Sequence, residues 1–237
     1  MTTSQQQTKV RNTSCFSEHN MAKLEQIMYD VQIAAGAYVY WEGDCADKLY
    51  YVKQGQVRIT KATDEGKQLT LFLYLPGDLF GQIDSMQGAH HSFSAEAEED
   101  CVLGVIQQKD LEVLLWQHGE LAIEFMGWMG QLHRITQTKF RDLMLFGKPG
   151  ALCSVLIRLG NSYGVETAGG TLISRRVTNS ELAEMIGATR ESVNRLLSEL
   201  KKKDVIDYED NLIVIKNIAY LRDVCRCEDC PGNICRI

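Results

Sequence analysis

The fold of the C-terminal half is decided by residues 177–215, which read VTNSELAEMIGATRESVNRLLSELKKKDVIDYEDNLIVI. Thr178 or Asn179 is a typical cap for a first helix, and Thr189 is a typical cap for a second. Between the two helices, Gly187 can adopt the positive φ of a tight turn. This spacing predicts two helices that cross at a short turn.

Two further features of this stretch specify the kind of helix pair. Ala183 is small at the point where the second helix must cross the first. After the second helix, residues 205–208 and 212–215 are β-forming and are separated by the turn Glu209-Asp210-Asn211, which predicts a β-hairpin. A helix pair followed by such a hairpin is a winged helix-turn-helix, whose second helix enters the major groove of DNA.

The second helix carries polar side chains near its N-terminus, where such helices contact base edges. Each of Arg190 and Arg195 can donate two hydrogen bonds to guanine O6 and N7, and Glu191 can accept one from a cytosine amine. The predicted base-reading residues are Arg190, Glu191, Asn194 and Arg195. The predicted phosphate contacts are Thr178, Ser180, Thr189 and Ser192.

Charge also distinguishes this region from the rest of the chain. The 237 residues include 25 Lys plus Arg and 31 Asp plus Glu, a net charge of −6. Residues 174–203 nevertheless carry seven basic and four acidic side chains. Any DNA contact is therefore expected to be local. The lysines at 201–203 are suited to phosphate contact or, equally, to a solvated helix end.

The remainder of the chain divides by pattern. Residues 31–106 alternate short β-forming segments with glycine turns, which indicates an all-β roll or barrel. Helical spacing then continues for about 35 residues, three times the mean helix length, which favours a dimer-forming helix. It ends at a hinge formed by Gly147, Pro149 and Gly150. We predict an α+β chain with an N-terminal segment (1–24), a cupin-like β-roll (25–110), a long dimerisation helix (111–147), a winged helix-turn-helix domain (148–222) and a cysteine-rich tail (223–237).

Several classes of protein are excluded by the sequence. The first twenty residues are polar, so we expect a cytoplasmic protein without a secretion signal. The most apolar region, residues 111–129, is interrupted by four ionisable side chains, and we expect no membrane contact. There is no phosphate-binding glycine loop and no nucleophile elbow, and we therefore expect no enzyme activity.

The eight cysteines form two groups. Four are single, namely Cys15, Cys45, Cys101 and Cys153, and most of these are expected to be small buried residues. The others lie in the tail, CRCEDCPGNICRI. Cys227 and Cys230 place two thiols on one turn, and Pro231-Gly232 bends the chain so that Cys235 can return to the same centre. Three soft ligands suit an iron-sulfur cluster and zinc about equally, and a disulfide or an idle tail less well.

The β-roll with its PGDLFG turn, the long helix and TNSELAEMIGATRESVNRLLSEL together resemble the CRP/FNR superfamily of transcription regulators over nearly the whole chain. The resemblance implies a roll of the cyclic-nucleotide-binding-domain type and a homodimer that binds double-stranded DNA, with RNA polymerase as a further partner. Arg190, Glu191 and Arg195 match the family pattern Arg-Glu-x-x-x-Arg, which implies a TGTGA-like palindrome.

The resemblance also bears on the signal that is sensed. Members that bind cyclic AMP use a Glu and an Arg-Ser pair, where this chain has Gln82 and His91-Ser92. Without the guanidinium, an anionic cyclic phosphate loses its bidentate partner, and we expect no cyclic nucleotide. The proteobacterial FNR pattern needs several cysteines near the N-terminus, where only Cys15 is found.

The tail is similar to that of Bacillus-type FNR regulators, which implies an oxygen-responsive anaerobic activator with about one 4Fe-4S cluster per subunit. Cys227, Cys230 and Cys235 would be its thiol ligands. The fourth ligand in that group is described as an aspartate at the end of the long helix, and Asp142 matches this place. Cys225 is the alternative. Without the resemblance, Asp142 is expected to be a surface carboxylate paired with Lys139 or Arg141.

Overall fold

The structure is a computed structural model that describes residues 11–83 and 88–237. The first ten residues of the predicted N-terminal segment lie outside this part. The described remainder of that segment leads into helix α1 (Glu18–Gln26), which the sequence analysis did not predict. The Ser17 side chain accepts a hydrogen bond from the Asn20 amide and so caps this helix.

The β-roll is confirmed. In the described part of the chain it consists of two antiparallel four-stranded sheets, of orders β1-β8-β3-β6 and β2-β7-β4-β5. The strands are β1 (Tyr29–Ile33), β2 (Tyr38–Tyr40), β3 (Asp47–Gln54), β4 (Val57–Ala62), β5 (Gln68–Tyr74), β6 (Leu79–Ile83), β7 (Ser94–Ala97) and β8 (Cys101–Gln107). Aromatic and branched side chains from both sheets form a common core around Phe80 and Leu103.

The turn between β5 and β6 is the PGD sequence at residues 76–78. Asp78 Oδ2 accepts a hydrogen bond from the Leu75 amide at 2.9 Å, which closes the turn. Gly77 has a φ of 95°, and a Cβ there would lie 2.2 Å from the Cδ of Arg11. The positive φ therefore favours glycine at this position, and the turn holds Asp78 inside the molecule.

The predicted helix over 111–147 is divided in the structure, which is a correction to its N-terminal bound. Helix α2 (Gln108–Gln117) ends at His118, whose φ of −131° and ψ of 86° are not helical. Leu111 of α2 is buried in the same core as Leu49 and Leu79 of the roll, so α2 packs on the roll instead of extending the long helix. No proline marks this break in the sequence.

The long helix proper is α3 (Gly119–Tyr163), and it contains the predicted hinge. Gly147 has a φ of 58° and a ψ of −164°, which interrupts the helix before Pro149. The second half of α3 carries the apolar run ALCSVLIRLGNSY, residues 151–163. By length and composition alone α3 could cross a membrane, but 56% of its most apolar window is buried inside the protein, as in a core helix of a soluble protein.

The C-terminal domain follows the predicted winged helix-turn-helix. Its elements are β9 (Gly164–Thr167), β10 (Gly170–Ile173), α4 (Asn179–Met185), α5 (Arg190–Lys202), β11 (Ile206–Glu209), β12 (Leu212–Ile215) and α6 (Ile218–Val224). The hairpin of β11 and β12 is the predicted wing, and it is joined to β10 and β9 in one sheet of order β11-β12-β10-β9. The last cysteines follow α6.

Candidate nucleic-acid interface and cysteine tail

The helix pair α4 and α5 is fixed by local capping. The Thr178 hydroxyl accepts from the Glu181 amide, and the Glu181 carboxylate accepts from the Thr178 amide, so α4 begins with a capping box. Gly187 has a φ of 58° in the turn, and the Thr189 side chain caps α5 by accepting from the Ser192 amide. These are the residues from which the motif was predicted.

Helix α5 has one buried and one exposed face. Val193, Leu197 and Leu200 pack into the domain core. The four predicted base-reading residues are all exposed, namely Arg190, Glu191, Asn194 and Arg195. Within the described ranges neither arginine forms an ion pair, so both guanidinium groups are available to guanine.

The predicted phosphate contacts lie at the starts of the two helices. Thr178, Ser180 and Thr189 are exposed and Ser192 is half-buried. The Thr189 hydroxyl also donates to the Ser192 hydroxyl at 3.1 Å, so these two side chains are shared with the cap. Orphan amides and polar side chains at a helix N-terminus form a site suited to a phosphate.

The lysine run at the end of α5 is partly used within the domain. Lys201 forms an ion pair of 2.9 Å with Asp207 of the wing, and Lys203 donates to the Tyr220 hydroxyl at 2.7 Å. These contacts favour the helix-end interpretation for Lys201 and Lys203. Lys202 is exposed.

The DNA-binding domain contacts the roll through ion pairs that the sequence did not predict. Arg58 of β4 lies 3.6 Å from Glu184 of α4. Arg175 lies 2.8 Å from Glu98 of the roll and 2.9 Å from Glu181 of α4. These pairs connect the roll directly to the helix that supports α5.

The roll contains a cavity of about 240 Å³ at the place where the resemblance puts a nucleotide, lined in part by Gln82 and His91. His91 is 3% exposed and stacks on Tyr40 with the ring centroids 3.6 Å apart. Burial lowers the pKa of His91 below its ordinary value of 6.5, so its imidazole is neutral at pH 7. Residues 84–87 of this segment lie outside the described residues.

Asp142 is a buried residue, which corrects the expectation of a surface carboxylate. It is 3% exposed. Arg141 donates to its Oδ1 from Nε at 3.0 Å and from Nη2 at 2.6 Å, while Ser154 and Arg158 donate to Oδ2. Lys139 is not a partner; it donates to the Leu71 carbonyl at 2.8 Å. A carboxylate so placed is held rigidly at the end of the first half of α3.

The cysteine tail (residues 223–237) lies next to Asp142. Arg141 contacts Glu228 of the tail at 2.5 Å, beside its bonds to Asp142. The predicted bend at Pro231 is present, since the Pro231 carbonyl accepts from the amides of Ile234 and Cys235 at 2.8 and 2.9 Å. This bend brings Cys235 back toward the other tail thiols.

Burial and nearby charges shift the pKa values of two of the tail thiols. Burial raises the pKa of the Cys235 thiol; the charge of Arg158 opposes this, and the charges of Cys227, Cys230 and Asp142 add to it. The Cys225 thiol is buried, and burial with the nearby charge of Cys227 raises its pKa to about 11. All four residues predicted as ligands therefore belong to one electrostatic neighbourhood.

The chemical types of the donors fit an iron-sulfur cluster, because the tail carries three cysteines without disulfides and lies beside a buried carboxylate. In the described part of the chain, no three Cys, His, Asp or Glu side chains are already arranged to hold a metal ion. The thiols are thus neighbours without forming a closed ligand set.

Three residues around the tail form contacts that were not predicted from the sequence, namely Arg158, Arg236 and Asp78. Arg158 is buried and bonds to Asp142, Ser154 and Thr138. An arginine inside the apolar run ALCSVLIRLGNSY was the available signal, since a charge in a buried helix needs partners. Nothing in the sequence pairs Arg236 with Asp78.

Comparison with known proteins identifies the class. The model of the Cyclic nucleotide-binding domain family matches residues 30–118, and that of the Crp-like helix-turn-helix domain matches residues 150–224. The Anaerobic regulatory protein of Bacillus subtilis (strain 168) is 42% identical over 216 residues, which are 90% of this chain and 91% of that protein. The chain belongs to the CRP/FNR family of transcription regulators, whose members bind DNA and act as dimers, and it is not an enzyme.

More distant relatives share the fold. The CRP-like cAMP-activated global transcriptional regulator of Mycobacterium tuberculosis (strain ATCC 25618 / H37Rv) is 23% identical over 83% of this chain and 88% of that protein. The structure of FixK2 from Bradyrhizobium japonicum has a TM-score of 0.72 at 22% identity, covering 84% of this chain and 97% of that one. A CooA mutant from Carboxydothermus hydrogenoformans has a TM-score of 0.74 at 19% identity, covering 86% and 90%.

Proposed function

We propose that this protein is a cytoplasmic, oxygen-responsive activator that binds a TGTGA-like palindrome as a homodimer while its tail holds a 4Fe-4S cluster, and that it acts with RNA polymerase. Cys227, Cys230, Cys235 and Asp142 are the proposed ligands. The relative that is 42% identical bears the name Anaerobic regulatory protein, which supports an anaerobic role here.

One observation carries the proposal: the cysteine tail lies beside a buried carboxylate at the hinge of α3. Arg158 bonds both to Asp142 and to the carbonyl of Ile234, the residue before Cys235, and Arg141 bonds both to Asp142 and to Glu228 of the tail. Asp142 is five residues from Gly147, where α3 turns toward the DNA-binding domain. Ligands at this place would therefore act on the connection between the dimer-forming half of α3 and the recognition helices.

The chain's own residues supply the coupling. With Cys227, Cys230, Cys235 and Asp142 engaged, the tail is fixed against the end of the first half of α3, and one orientation of the DNA-binding domain is selected. When bound, the cluster supplies a group that oxygen destroys. Without it the tail is released, and the two recognition helices lose their spacing for half-sites one helical turn apart.

The proposal excludes a cyclic nucleotide as the signal. By the resemblance, His91 takes the position of the arginine that binds the phosphate, and its buried, neutral imidazole cannot offer two charged donors. We therefore expect no effect of cyclic AMP on DNA affinity.

The test is purification without oxygen, followed by visible absorption and analysis of iron, sulfide and zinc. We expect a brown protein with about one cluster per chain, and we expect the variant Cys227→Ser/Cys230→Ser/Cys235→Ser to be colourless. A colourless wild-type protein that carries zinc and binds DNA with full affinity contradicts the proposal.

The same spectra distinguish the two candidates for the fourth ligand. Asp142→Ala should lose the cluster or hold it with reduced stability to oxygen, whereas Cys225→Ala should keep it. The reverse result would assign Cys225 as the ligand. Because a carboxylate is a harder ligand than a thiolate, the iron atom bound by Asp142 should be the one that the cluster loses most easily.

A further inference from the structure

The last five residues of the chain are all held by other parts of the molecule. Five hydrogen bonds join them to α3: Asn233 to the Gln131 side chain (3.1 Å), the Ile234 and Arg236 carbonyls to Arg158 (3.1 and 3.4 Å), the Cys235 carbonyl to Asn161 (2.6 Å) and the Ile237 amide to Ser162 (3.2 Å). The Ile237 side chain is buried in the core of the DNA-binding domain. The end of the tail is thus an integral part of the fold.

Arg236 connects this tail to the β-roll. Its guanidinium forms a bidentate ion pair with Asp78 in the PGD turn, with Nη1 2.7 Å from Oδ1 and Nη2 bonded to Oδ2. Arg236 is 5% exposed and Asp78 is 1% exposed. A buried pair of this geometry joins two segments that are 158 residues apart in sequence.

Asp78 organises the surrounding roll and depends on Arg236 for its charge partner. Its carboxylate also accepts from the amides of Asn12 and Leu75, at 2.8 and 2.9 Å. Across residues 11–83 and 88–237, Arg236 is the one cation that forms an ion pair with it. Loss of Arg236 would leave a buried carboxylate without its counter-charge, which is strongly unfavourable.

We infer that Arg236 is a positioning residue that couples the cysteine tail to the β-roll. Arg236 follows Cys235 directly, and adjacent Cα atoms are only about 3.8 Å apart. Fixing the Cys235 thiol therefore fixes the Arg236 backbone, and with it the ion pair to the PGD turn. This inference rests on the proposed function, because the cluster is what would hold or release Cys235.

The test compares Arg236→Gln with the matched control Arg226→Gln, whose arginine lies in the same tail but pairs with the exposed Asp223. Operator affinity is measured without oxygen and again after oxygen has removed the cluster. Coupling between sites is typically roughly 5- to 150-fold, and we expect wild type and Arg226→Gln to show a ratio in that range. Arg236→Gln should keep the cluster absorption, but its operator affinity should be nearly the same with and without the cluster, a ratio near one.

A second readout does not depend on DNA binding. In oxygen-free protein that holds the cluster, amide hydrogen exchange at residues 75–79 should be faster in Arg236→Gln than in wild type, and unchanged in Arg226→Gln. Arg236→Lys, which keeps the charge but not the bidentate geometry, should be intermediate in both measurements. This milder variant decides the question if Arg236→Gln does not fold.

The inference is overturned if the Arg236 variants keep the wild-type ratio, or if they weaken DNA binding equally with and without the cluster, which is the result of a merely structural role. Failure of the proposed function is separate, because it shows in the wild type: no cluster absorption and no effect of oxygen on affinity.

Discussion

At the scale of single residues, the two arginines near the N-terminus of α5 are free to contact DNA bases. Arg190 and Arg195 are exposed, and in the part of the chain that the structure describes neither is paired with a carboxylate. Their helix is anchored by the buried Val193 and Leu197. The guanidinium groups therefore need not break an existing ion pair before they bind guanine.

We expect Arg195→Ala to lower affinity for the palindrome by about 1–3 kcal/mol and to relax discrimination at one base position. Lys202→Ala removes the same charge from the far end of α5 and should weaken binding to all DNA sequences alike. Competition titrations with singly substituted operators measure both effects. Equal behaviour of the two variants would show that Arg195 does not read a base.

The thiols should differ in reactivity with burial. Burial, with the charge of Cys225, raises the pKa of Cys153 to about 12, and the pKa of Cys225 is raised to about 11. At pH 8 a thiol of pKa about 11 is ionised in about one molecule per thousand. In metal-free protein we expect iodoacetamide to modify the exposed Cys45 first. The rate at which it modifies Cys225 should rise about tenfold for each pH unit up to pH 11. Peptide mass spectrometry checks the order, and rapid loss of Cys225 at pH 8 would refute it.

Residue burial is what sequence reasoning judged least well. The local sequence predicts a surface carboxylate at Asp142, because Lys139 and Arg141 flank it. The fold instead places Asp142 against Arg158, sixteen residues away. The bond of Arg236 to Asp78 spans still more of the chain. Such partners are set by tertiary packing, which no local pattern encodes.

At the scale of elements, α3 combines a buried face with an exposed apolar one. Ile123, Met126, Phe140 and Met144 are exposed although they are apolar, and they recur at heptad-compatible spacing. Members of the family act as dimers, and we assign this face to the dimer contact.

Met126→Asp should raise the dimer dissociation constant by roughly a hundredfold or more, since a dimer would lose two buried methionine side chains at about 1.5–3 kcal/mol each. Val165→Asp places the same charge on an exposed apolar residue of β9 and serves as the control. Sedimentation velocity over a concentration series measures the shift. An unchanged dimer in Met126→Asp would contradict the assignment of this face.

The hinge of α3 depends on glycine. Gly147 lies at a φ of 58° and a ψ of −164°, which other residues rarely adopt. We expect Gly147→Ala to destabilise the protein by about 1–3 kcal/mol. The neighbouring Lys148→Ala should have little effect, and thermal unfolding compares the two. Equal melting temperatures would mean that the hinge does not require this conformation.

Elements with strong local signals were predictable. The caps Thr178 and Thr189, the turn at Gly187 and the wing all lie where their spacing indicated. The break at His118 was not predictable, because the apolar spacing continues through it. The packing of α2 on the roll decides where this helix ends. Helix α1 was missed because the polar N-terminal segment has a weak apolar pattern.

At the scale of the whole molecule, the roll, α3, the DNA-binding domain and the tail are connected by buried or half-buried charges. Arg58 and Arg175 join the roll to α4, while Arg158 and Arg236 join the tail to α3 and the roll. A change at the tail can therefore reach the recognition helices through defined contacts. The domain order followed from sequence pattern, but these connections required the three-dimensional structure.

The most direct test of this account is the operator affinity of oxygen-free protein, compared between wild type and Cys227→Ser/Cys230→Ser/Cys235→Ser. We predict that the wild type binds the palindrome roughly 5- to 150-fold more tightly, and that exposure to oxygen removes the difference. Equal affinity of the two oxygen-free proteins would contradict control by the tail and leave only the DNA-binding function.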